Sequence, residues 1–194
     1  MTDIAQDKKA LRAELRTLRR NQVAALPKEV SALVFSRPPR PVLDLVPQSA
    51  AIGLYRATRD EAPARRYAQF FAEAGHTVAL PRITSRAVPM HFHLFADPFS
   101  ESDLEEGPMG LMQPPADAPQ VSPTVLFVPL LGFTLQGDRI GQGAGFYDRW
   151  LAEHPGTTAI GLAWDIQEVA RLPVESHDVP LTAIVTPTRV LGPF

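Results

Sequence analysis

The chain has 194 residues, of which 45% are hydrophobic and 21% are charged, so it can bury a core and is neither disordered nor fibrous. Its formal net charge of −2 argues against a general nucleic-acid-binding protein. The sequence contains no cysteine, which excludes disulfides, thiolate nucleophiles and cysteine-bound metals.

We expect a cytoplasmic protein with one domain over residues 1–194. The longest apolar stretch, residues 125–133, is interrupted by Pro129 and Gly132 and is shorter than the ~18 residues that a membrane span requires. The first twenty residues are charged throughout and lack the apolar centre of a signal peptide. The predicted protein therefore has neither a membrane nor a nucleic acid as a partner.

The first 25 residues are predicted to form a helix, because leucines and arginines recur there at steps of three and four residues. The leucine stripe consists of Leu11, Leu15 and Leu18. The basic stripe consists of Arg12, Arg16 and either Arg19 or Arg20. A second helix is predicted to begin at Pro27 and to end near Phe35, before a proline-rich segment.

The middle of the chain predicts a β-α-β unit. Residues 50–55 and 77–80 are short apolar runs typical of buried strands, and residues 63–74 between them have helical spacing. Such a unit favours a parallel sheet. Residues 88–95 alternate and are predicted to form an edge strand, followed by a long, acidic, proline-rich loop over residues 97–119.

The last third of the chain continues this alternation of strands and helices. Residues 125–128, 158–163 and 183–185 predict three further strands, and residues 147–152 begin a helix. The complete pattern predicts an α/β fold with a mostly parallel sheet. In such folds ligands bind beyond the carboxyl ends of the strands.

A glycine-rich loop lies between the predicted strand at residues 125–128 and the helix at residues 147–152. Its glycines are Gly141, Gly143 and Gly145. They let backbone N–H groups approach an anion closely, and the helix N-terminus adds a favourable dipole. Arg139 and Arg149 are candidates for contacts to phosphate, and Asp148 is a candidate magnesium ligand. The glycine pattern by itself is equally typical of a tight turn.

The same loop carries a family resemblance. Residues 129–151, PLLGFTLQGDRIGQGAGFYDRWL, resemble the signature of the 5-formyltetrahydrofolate cyclo-ligases, also called methenyltetrahydrofolate synthetases. That signature has Leu-Gly-Phe after a proline, and then Gly-x-Arg-Leu-Gly-x-Gly-x-Gly-Tyr-Tyr-Asp. Further segments resemble the family in order along the chain: Lys8 with Arg12, Glu61, Leu80-Pro81-Arg82, residues 110–114 and residues 175–178.

The resemblance implies a single three-layer α/β domain with a mostly parallel sheet, of the sugar-isomerase and CoA-transferase-like type. It also implies an enzyme that uses ATP and Mg²⁺ to close a ring. ATP would phosphorylate the formyl oxygen of 5-formyltetrahydrofolate, the folate N10 would attack the activated carbon, and loss of phosphate would give 5,10-methenyltetrahydrofolate. The expected partner is this folate, with or without a polyglutamate tail, and the expected state is a monomer.

The resemblance also assigns roles to individual residues. The implied ATP-binding residues are Lys8, Arg12, Arg139, Ile140, Gly141, Gln142, Gly143, Ala144, Gly145, Phe146 and Tyr147. The implied folate-binding residues are Arg56, Glu61, Met109, Gln142, Gly143, Ala144, Gly145 and Phe146. The implied catalytic residues are Arg139, Tyr147 and Asp148. The implied metal ligands are Asp148 and Glu175, with Asp178 as a substitute for Glu175.

Several side chains keep two interpretations at this point. Tyr55, Met109 and Phe133 either line an apolar folate pocket or belong to the core. His91 and His93 share one face of a strand, but the sequence offers no third ligand nearby, so a metal site there is disfavoured. The basic face of the first helix is either a phosphate-binding surface or simply solvated.

The chain departs from the family pattern around both implied ligands. The departures are Gln142 for Arg, Ala144 for Lys or Gly, Phe146 for Tyr, Pro63 and Ala64 for Asp and Thr, and Arg56 for an apolar or small residue. Two alternatives therefore stay open. One is a divergent ATP-binding relative that acts on another substrate, and the other is a non-enzymatic folate-binding module.

Overall fold

The computed structural model describes residues 4–27, 30 and 33–194. Its helices are α1 (Ile4–Ala25), α2 (Arg40–Leu43), α3 (Arg65–Glu73) and α4 (Phe146–Glu153), with short 3₁₀ helices at Pro108–Gly110 and Asp165–Gln167. The second predicted helix includes residues 28, 29, 31 and 32, which lie outside the described residues. Within the described part of the chain, no helix combines the length and the hydrophobicity needed to cross a membrane.

The strands form one large sheet and two small ones. In chain order they are β1 (Ala51–Gly53), β2 (Thr77–Arg82), β3 (His91–Leu94), β4 (Glu105–Glu106), β5 (Met112–Gln113), β6 (Gln120–Val121), β7 (Val125–Pro129), β8 (Gly132–Phe133), β9 (Arg139–Ile140), β10 (Thr158–Leu162), β11 (Ala183–Val185) and β12 (Val190–Leu191). The large sheet has the order β12-β11-β10-β7-β1-β2-β3-β6, and the small sheets pair β4 with β5 and β8 with β9. The central strands from β11 to β2 are parallel, which confirms the predicted mostly parallel sheet.

The prediction that residues 88–95 form an edge strand is wrong. Strand β3 pairs antiparallel with β2 on one side and with β6 on the other. The outer strand β6 comes from residues that follow the acidic, proline-rich segment, where the composition had predicted only a loop. The same segment contains the β4–β5 hairpin, so it is partly ordered by backbone pairing.

The two faces of the sheet are covered by different helices, which confirms the three-layer arrangement. On one face, Tyr67 and Phe71 of α3 pack in the same core cluster as Phe127 of β7. On the other face, Trp150 of α4 packs in the same cluster as Leu126. Neighbouring residues of β7 therefore serve opposite cores, as the alternation of side chains along a strand requires.

Helix α1 docks through a third, smaller cluster. Leu15 is 2% exposed and packs with Leu131, which precedes β8, and with Ile140 of β9. Leu18 is 39% exposed, so the leucine stripe of α1 is not buried along its whole length. Arg19 is buried instead, at 4% exposure, because it lies one helical turn after Leu15 on the same side of α1.

We predict that Leu15→Ala lowers the free energy of unfolding by about 2–4 kcal/mol, because it leaves a cavity between α1 and the hairpin. Leu18→Ala on the same helix is the matched control, with an expected loss within about 0.5 kcal/mol. Urea-induced unfolding of both variants measures the difference. Equal losses for the two leucines would contradict this account of how α1 docks.

Candidate active site

A cavity of about 640 Å³ lies at the carboxyl ends of the parallel strands, where it is covered by α1. Tyr55 and Arg56 follow β1, and Pro81 and Ile83 lie at the end of β2. Pro129 ends β7. The cavity therefore lies where parallel α/β sheets bind ligands.

The cavity brings together nearly all residues that the sequence singled out. It is lined by Lys8, Arg12, Arg56, Glu61, Arg139, Ile140, Gly141, Gln142, Gly143, Ala144, Gly145, Phe146, Tyr147, Asp148, Glu175 and Asp178. The exceptions are Arg149 and Phe133, which do not line the cavity, and Met109, whose side chain lies outside the described residues. These residues come from distant parts of the chain, so their convergence is a property of the fold.

The glycine loop connects β9 to α4 and forms one wall of the cavity. Gly143 has φ of +103° and Gly145 has φ of +66°, in the left-handed region that side chains with a Cβ rarely adopt. Gly141 has no such φ, and a Cβ there would meet no atom within 4 Å. The turn therefore requires glycine at Gly143 and Gly145, whereas at Gly141 the glycine leaves open space beside the backbone.

Lys8 of α1 reaches across the cavity to residues near the C-terminus. Its Nζ lies 2.7 Å from Glu175 Oε2 and 2.6 Å from Asp178 Oδ2, and its side chain is 7% exposed. Burial acts to lower the pKa of Lys8, but hydrogen bonds and charge from the two carboxylates outweigh it and raise this pKa overall. Lys8 is therefore a charged ammonium in the wall of the cavity.

Arg12 and Arg16 tie α1 to the glycine loop. Arg12 Nε donates to the Gly141 carbonyl at 3.0 Å. Arg16 donates from Nε to Gln142 Oε1 at 2.9 Å and from Nη2 to the Gln142 carbonyl at 3.0 Å. Arg16 belongs to the basic stripe seen in the sequence, but no sequence signal assigned it to the site. The polar Gln142 side chain is its partner, at a position where the resemblance had led us to expect arginine.

Arg139 and Arg149 have different surroundings. The Arg139 side chain is 3% exposed, and its Nη2 lies 2.6 Å from Asp148 Oδ1 while Nη1 donates to the Val179 carbonyl. Burial lowers the pKa of Arg139, and the charges of Asp148 and Asp178 oppose this effect. Arg149 instead donates to the Ala144 carbonyl at 3.0 Å from the exposed side of α4. Of these two arginines, only Arg139 lines the cavity.

Glu61, Tyr55 and Tyr147 also line the cavity. Glu61 Oε2 accepts a hydrogen bond from the Thr58 N–H at 2.8 Å, and the Glu61 side chain is 10% exposed. Burial, with a contribution from the negative charge of Glu61, raises the pKa of both Tyr55 and Tyr147. Both phenols are therefore protonated at neutral pH. The Tyr55 hydroxyl donates to the Ala62 carbonyl at 2.6 Å.

Arg56 lies between this cavity and a smaller one of about 270 Å³, which also includes Glu61 in its wall. Its Nη2 lies 2.9 Å from Glu101 Oε2, and Arg65 Nε lies 3.3 Å from the other oxygen of the same carboxylate. Glu101 belongs to the acidic segment after β3. These ion pairs hold that segment in the wall of the smaller cavity.

Other residues in the wall were not assigned roles from the sequence. Gln113 is 3% exposed, and its Oε1 accepts a hydrogen bond from the Ile83 N–H at 3.0 Å. The similarity of residues 110–114 to the family was the only signal that pointed to it. Phe133 belongs to the core, at 0% exposure, and does not line the cavity. Its alternative interpretation as a folate-pocket residue is therefore wrong.

The carboxylates of Asp148, Glu175 and Asp178 offer the hard oxygen donors that Mg²⁺ prefers. Each already pairs with a cation of the protein, Asp148 with Arg139 and the other two with Lys8. Within the described residues, no group of three or more acidic, histidine or cysteine side chains is arranged to hold a metal. The donor set therefore fits an ion that arrives with nucleotide phosphates and takes one or two carboxylates from the protein.

Comparison with known proteins identifies the family. The profile of the 5-formyltetrahydrofolate cyclo-ligase family matches residues 4–187. The chain belongs to this family. A relative named 5-formyltetrahydrofolate cyclo-ligase from Haemophilus influenzae is 29% identical over 188 residues, covering 93% of this chain and 97% of that protein. The enzyme of the same name from Escherichia coli K12 is 41% identical over 103 residues, which span 50% of this chain and only 57% of the relative.

Solved structures agree with this family assignment. The structure of 5,10-methenyltetrahydrofolate synthetase from Aquifex aeolicus has a TM-score of 0.72 and 26% identity, and the match covers 94% of this chain and 93% of that one. A synthetase from Mycoplasma pneumoniae has a TM-score of 0.66 at 21% identity, covering 92% and 98% of the two chains, and supports the fold alone. The α/β architecture of this cyclo-ligase family member is thus shared over nearly its whole length.

We predict that Arg139→Ala lowers the free energy of unfolding by about 2–4 kcal/mol, because it leaves Asp148 beside a buried space without its cation. Arg149→Ala, which removes one exposed hydrogen bond, is the matched control and is expected to cost less than about 1 kcal/mol. Chemical denaturation distinguishes them. If the two variants lose the same stability, Arg139 is not the buried anchor of this wall.

Proposed function

We propose that the protein catalyses the ATP-dependent cyclisation of 5-formyltetrahydrofolate to 5,10-methenyltetrahydrofolate, with release of ADP and phosphate. The observation that carries this proposal is the single cavity in which the cations of α1, the glycine loop and Glu61 meet. Membership of the cyclo-ligase family supports the choice of reaction. ATP occupies the end with the cations, and the folate occupies the end with Glu61.

The ATP end supplies positive charge and backbone donors for phosphate. Lys8, Arg12 and Arg139 line it, and the N-terminal turn of α4 directs backbone N–H groups and the positive end of its dipole toward it. Arg139 is fixed by Asp148 and the Val179 carbonyl. Fixed donors of this kind stabilise developing charge without reorganisation during the reaction.

Magnesium belongs to the proposal as a companion of the nucleotide. Asp148 together with Glu175 or Asp178 would hold it, since these carboxylates line the same end of the cavity. When bound, the ion supplies charge neutralisation at the phosphate oxygens. Lys8 pairs with Glu175 and Asp178, so it holds both candidate ligands in the wall of the cavity.

The folate end offers complementary hydrogen-bonding groups. The Glu61 carboxylate accepts hydrogen bonds, which suits the amino and ring N–H donors of a pterin. Tyr147 keeps its proton because burial raises its pKa, so its hydroxyl donates to an oxygen and does not act as a base. Gly143 and Gly145 lie in the cavity wall, where glycine lets the backbone approach a ligand closely. The formyl oxygen and the transferred phosphoryl group must meet in this cavity.

The chemistry requires positioning more than a protein nucleophile. A formamide oxygen is a poor leaving group, whereas its phosphate ester is a good one. Transfer of the terminal phosphoryl group to the formyl oxygen releases ADP. Attack by N10 forms the ring C–N bond with loss of the N10 proton, and the C–O bond breaks to release phosphate. Orientation and charge stabilisation can supply the rate enhancement for such a sequence, which agrees with the absence of cysteine from the chain.

We predict that the purified protein, supplied with ATP and Mg²⁺, converts 5-formyltetrahydrofolate to a product with the near-ultraviolet absorbance of the methenyl compound. One ADP and one phosphate are expected for each product molecule. Omission of ATP is the control. ATP hydrolysis without folate conversion would favour a divergent relative with another substrate, and folate binding without turnover would favour a non-enzymatic binding module.

We predict that Arg12→Ala raises the KM for ATP by about 10-fold, since it removes a charged hydrogen-bond donor worth about 1.4 kcal/mol or more. The KM for the folate is expected to change little, because the proposal assigns folate recognition to Glu61 and not to Arg12. The rise should depend on salt, because exposed charge interactions are screened. Arg20→Ala is the control, since Arg20 is exposed on the same helix and does not line the cavity.

The comparison requires initial rates at varied ATP for the wild type and both variants, each at low and high salt. If Arg12→Ala and Arg20→Ala give indistinguishable curves, the basic face of α1 is a solvated surface and takes no part in nucleotide binding.

A further inference from the structure

Arg19 of α1 is a buried cation that the proposed reaction does not use directly. Its side chain is 5% exposed, and Nη1 donates to the Leu130 carbonyl at 3.2 Å. The same carbonyl also accepts a hydrogen bond from Gln167 Nε2 at 2.7 Å. Within the described residues, Arg19 Nε has no hydrogen-bond partner. Such a group costs free energy to bury unless a counter-charge stands close to it.

Glu61 is that counter-charge. Its Oε1 lies 4.0 Å from Arg19 Nη1, and it is the acidic residue within ion-pair distance of Arg19 in the described part of the chain. Glu61 Oε2 is already occupied by the Thr58 N–H. Arg19 therefore approaches the remaining oxygen from behind, since Glu61 lines both cavities and Arg19 lines neither.

The surroundings of Glu61 make this support necessary. Tyr55 and Tyr147 both feel its negative charge, which contributes to raising the pKa of each phenol, and the charge of Arg19 acts in the opposite direction on Tyr55. The carboxylate is nine-tenths buried beside these rings. A cation 4.0 Å from Glu61 Oε1 helps to fix where this carboxylate lies at the surface that faces the ligand.

We propose that Arg19 is a positioning residue for folate recognition, which holds the Glu61 carboxylate oriented toward the N–H donors of the pterin. This inference rests on the proposed function of Glu61. Lys8, Arg12 and Arg19 follow one another at helical spacing on one side of α1. The proposal gives a role to Arg19, the last of these three cations. One helix thus supports both ends of the cavity, through direct contact at the ATP end and through Glu61 at the folate end.

The test uses Arg19→Met, Glu61→Gln and the double variant, with Arg20→Met as an exposed control on the same helix. Glu61→Gln and Arg19→Met are each expected to raise the KM for 5-formyltetrahydrofolate about 10-fold, as for loss of a charged hydrogen bond. The KM for ATP is expected to change less than about twofold. Arg20→Met is expected to leave both constants unchanged.

The double variant distinguishes positioning from a general structural effect. If Arg19 acts through Glu61, Arg19→Met adds less than about a twofold rise in folate KM once Glu61 is already Gln. A full additional 10-fold rise in that background overturns the inference, and so does an Arg19→Met variant with an unchanged folate KM. An unchanged folate KM in Glu61→Gln overturns the proposed role of Glu61 and the inference with it.

Arg19→Lys keeps the test decisive if Arg19→Met does not fold. Lysine preserves the charge but lacks the planar guanidinium, whose Nη1 contacts both the Leu130 carbonyl and Glu61 Oε1. We expect a folate KM between those of the wild type and Glu61→Gln. A value equal to the wild type in a folded Arg19→Lys variant shows that charge near Glu61 suffices without the orientation and overturns the positioning role.

Discussion

The site depends on the pairing of cations on one side of α1, where Lys8 and Arg19 are buried and Arg12 is half-buried. A buried ammonium or guanidinium must find carboxylates or carbonyl oxygens, or the cost of removing it from water is not recovered. Lys8 finds Glu175 and Asp178, Arg12 finds the Gly141 carbonyl, and Arg19 finds Leu130 and Glu61. Because these partners lie on separate segments, satisfying the cations also assembles the cavity.

The parallel sheet explains why those segments are within reach of one helix. Strands β1, β2 and β7 all end at the same edge, so the chain leaving each of them enters the space beneath α1. Leu15 fixes the helix at this edge through Leu131 and Ile140. The apolar contact of Leu15 fixes the position of α1. The polar contacts of Lys8, Arg12 and Arg19 connect the helix to segments that line the cavity.

The sequence predicted the fold well where its signals were local. The β-α-β unit follows from the apolar runs at β1 and β2 and the helical spacing of α3, and all three elements were found. The edge position of β3 was wrong because pairing with β6 depends on only two residues, Gln120 and Val121. Runs that short carry no periodicity from which a strand can be predicted.

The candidate site was predicted mainly through motif similarity, and the contacts within it were not. Nothing in the spacing distinguishes Arg19 from Arg20, and only the fold shows that the first is buried and the second exposed. The pairing of Arg16 with Gln142 likewise joins positions 126 residues apart. Long-range pairs of this kind depend on how α1 meets the sheet, which no local pattern encodes.

The central claim is that α1 and the glycine loop form one nucleotide site, and hydrogen exchange of backbone amides tests it most directly. Exchange is measured with and without Mg²⁺ and a non-hydrolysable ATP analogue. The account predicts slower exchange both in residues 141–147 and in α1, because a ligand that contacts both reduces their opening together. Slower exchange in the loop with unchanged exchange throughout α1 would contradict it.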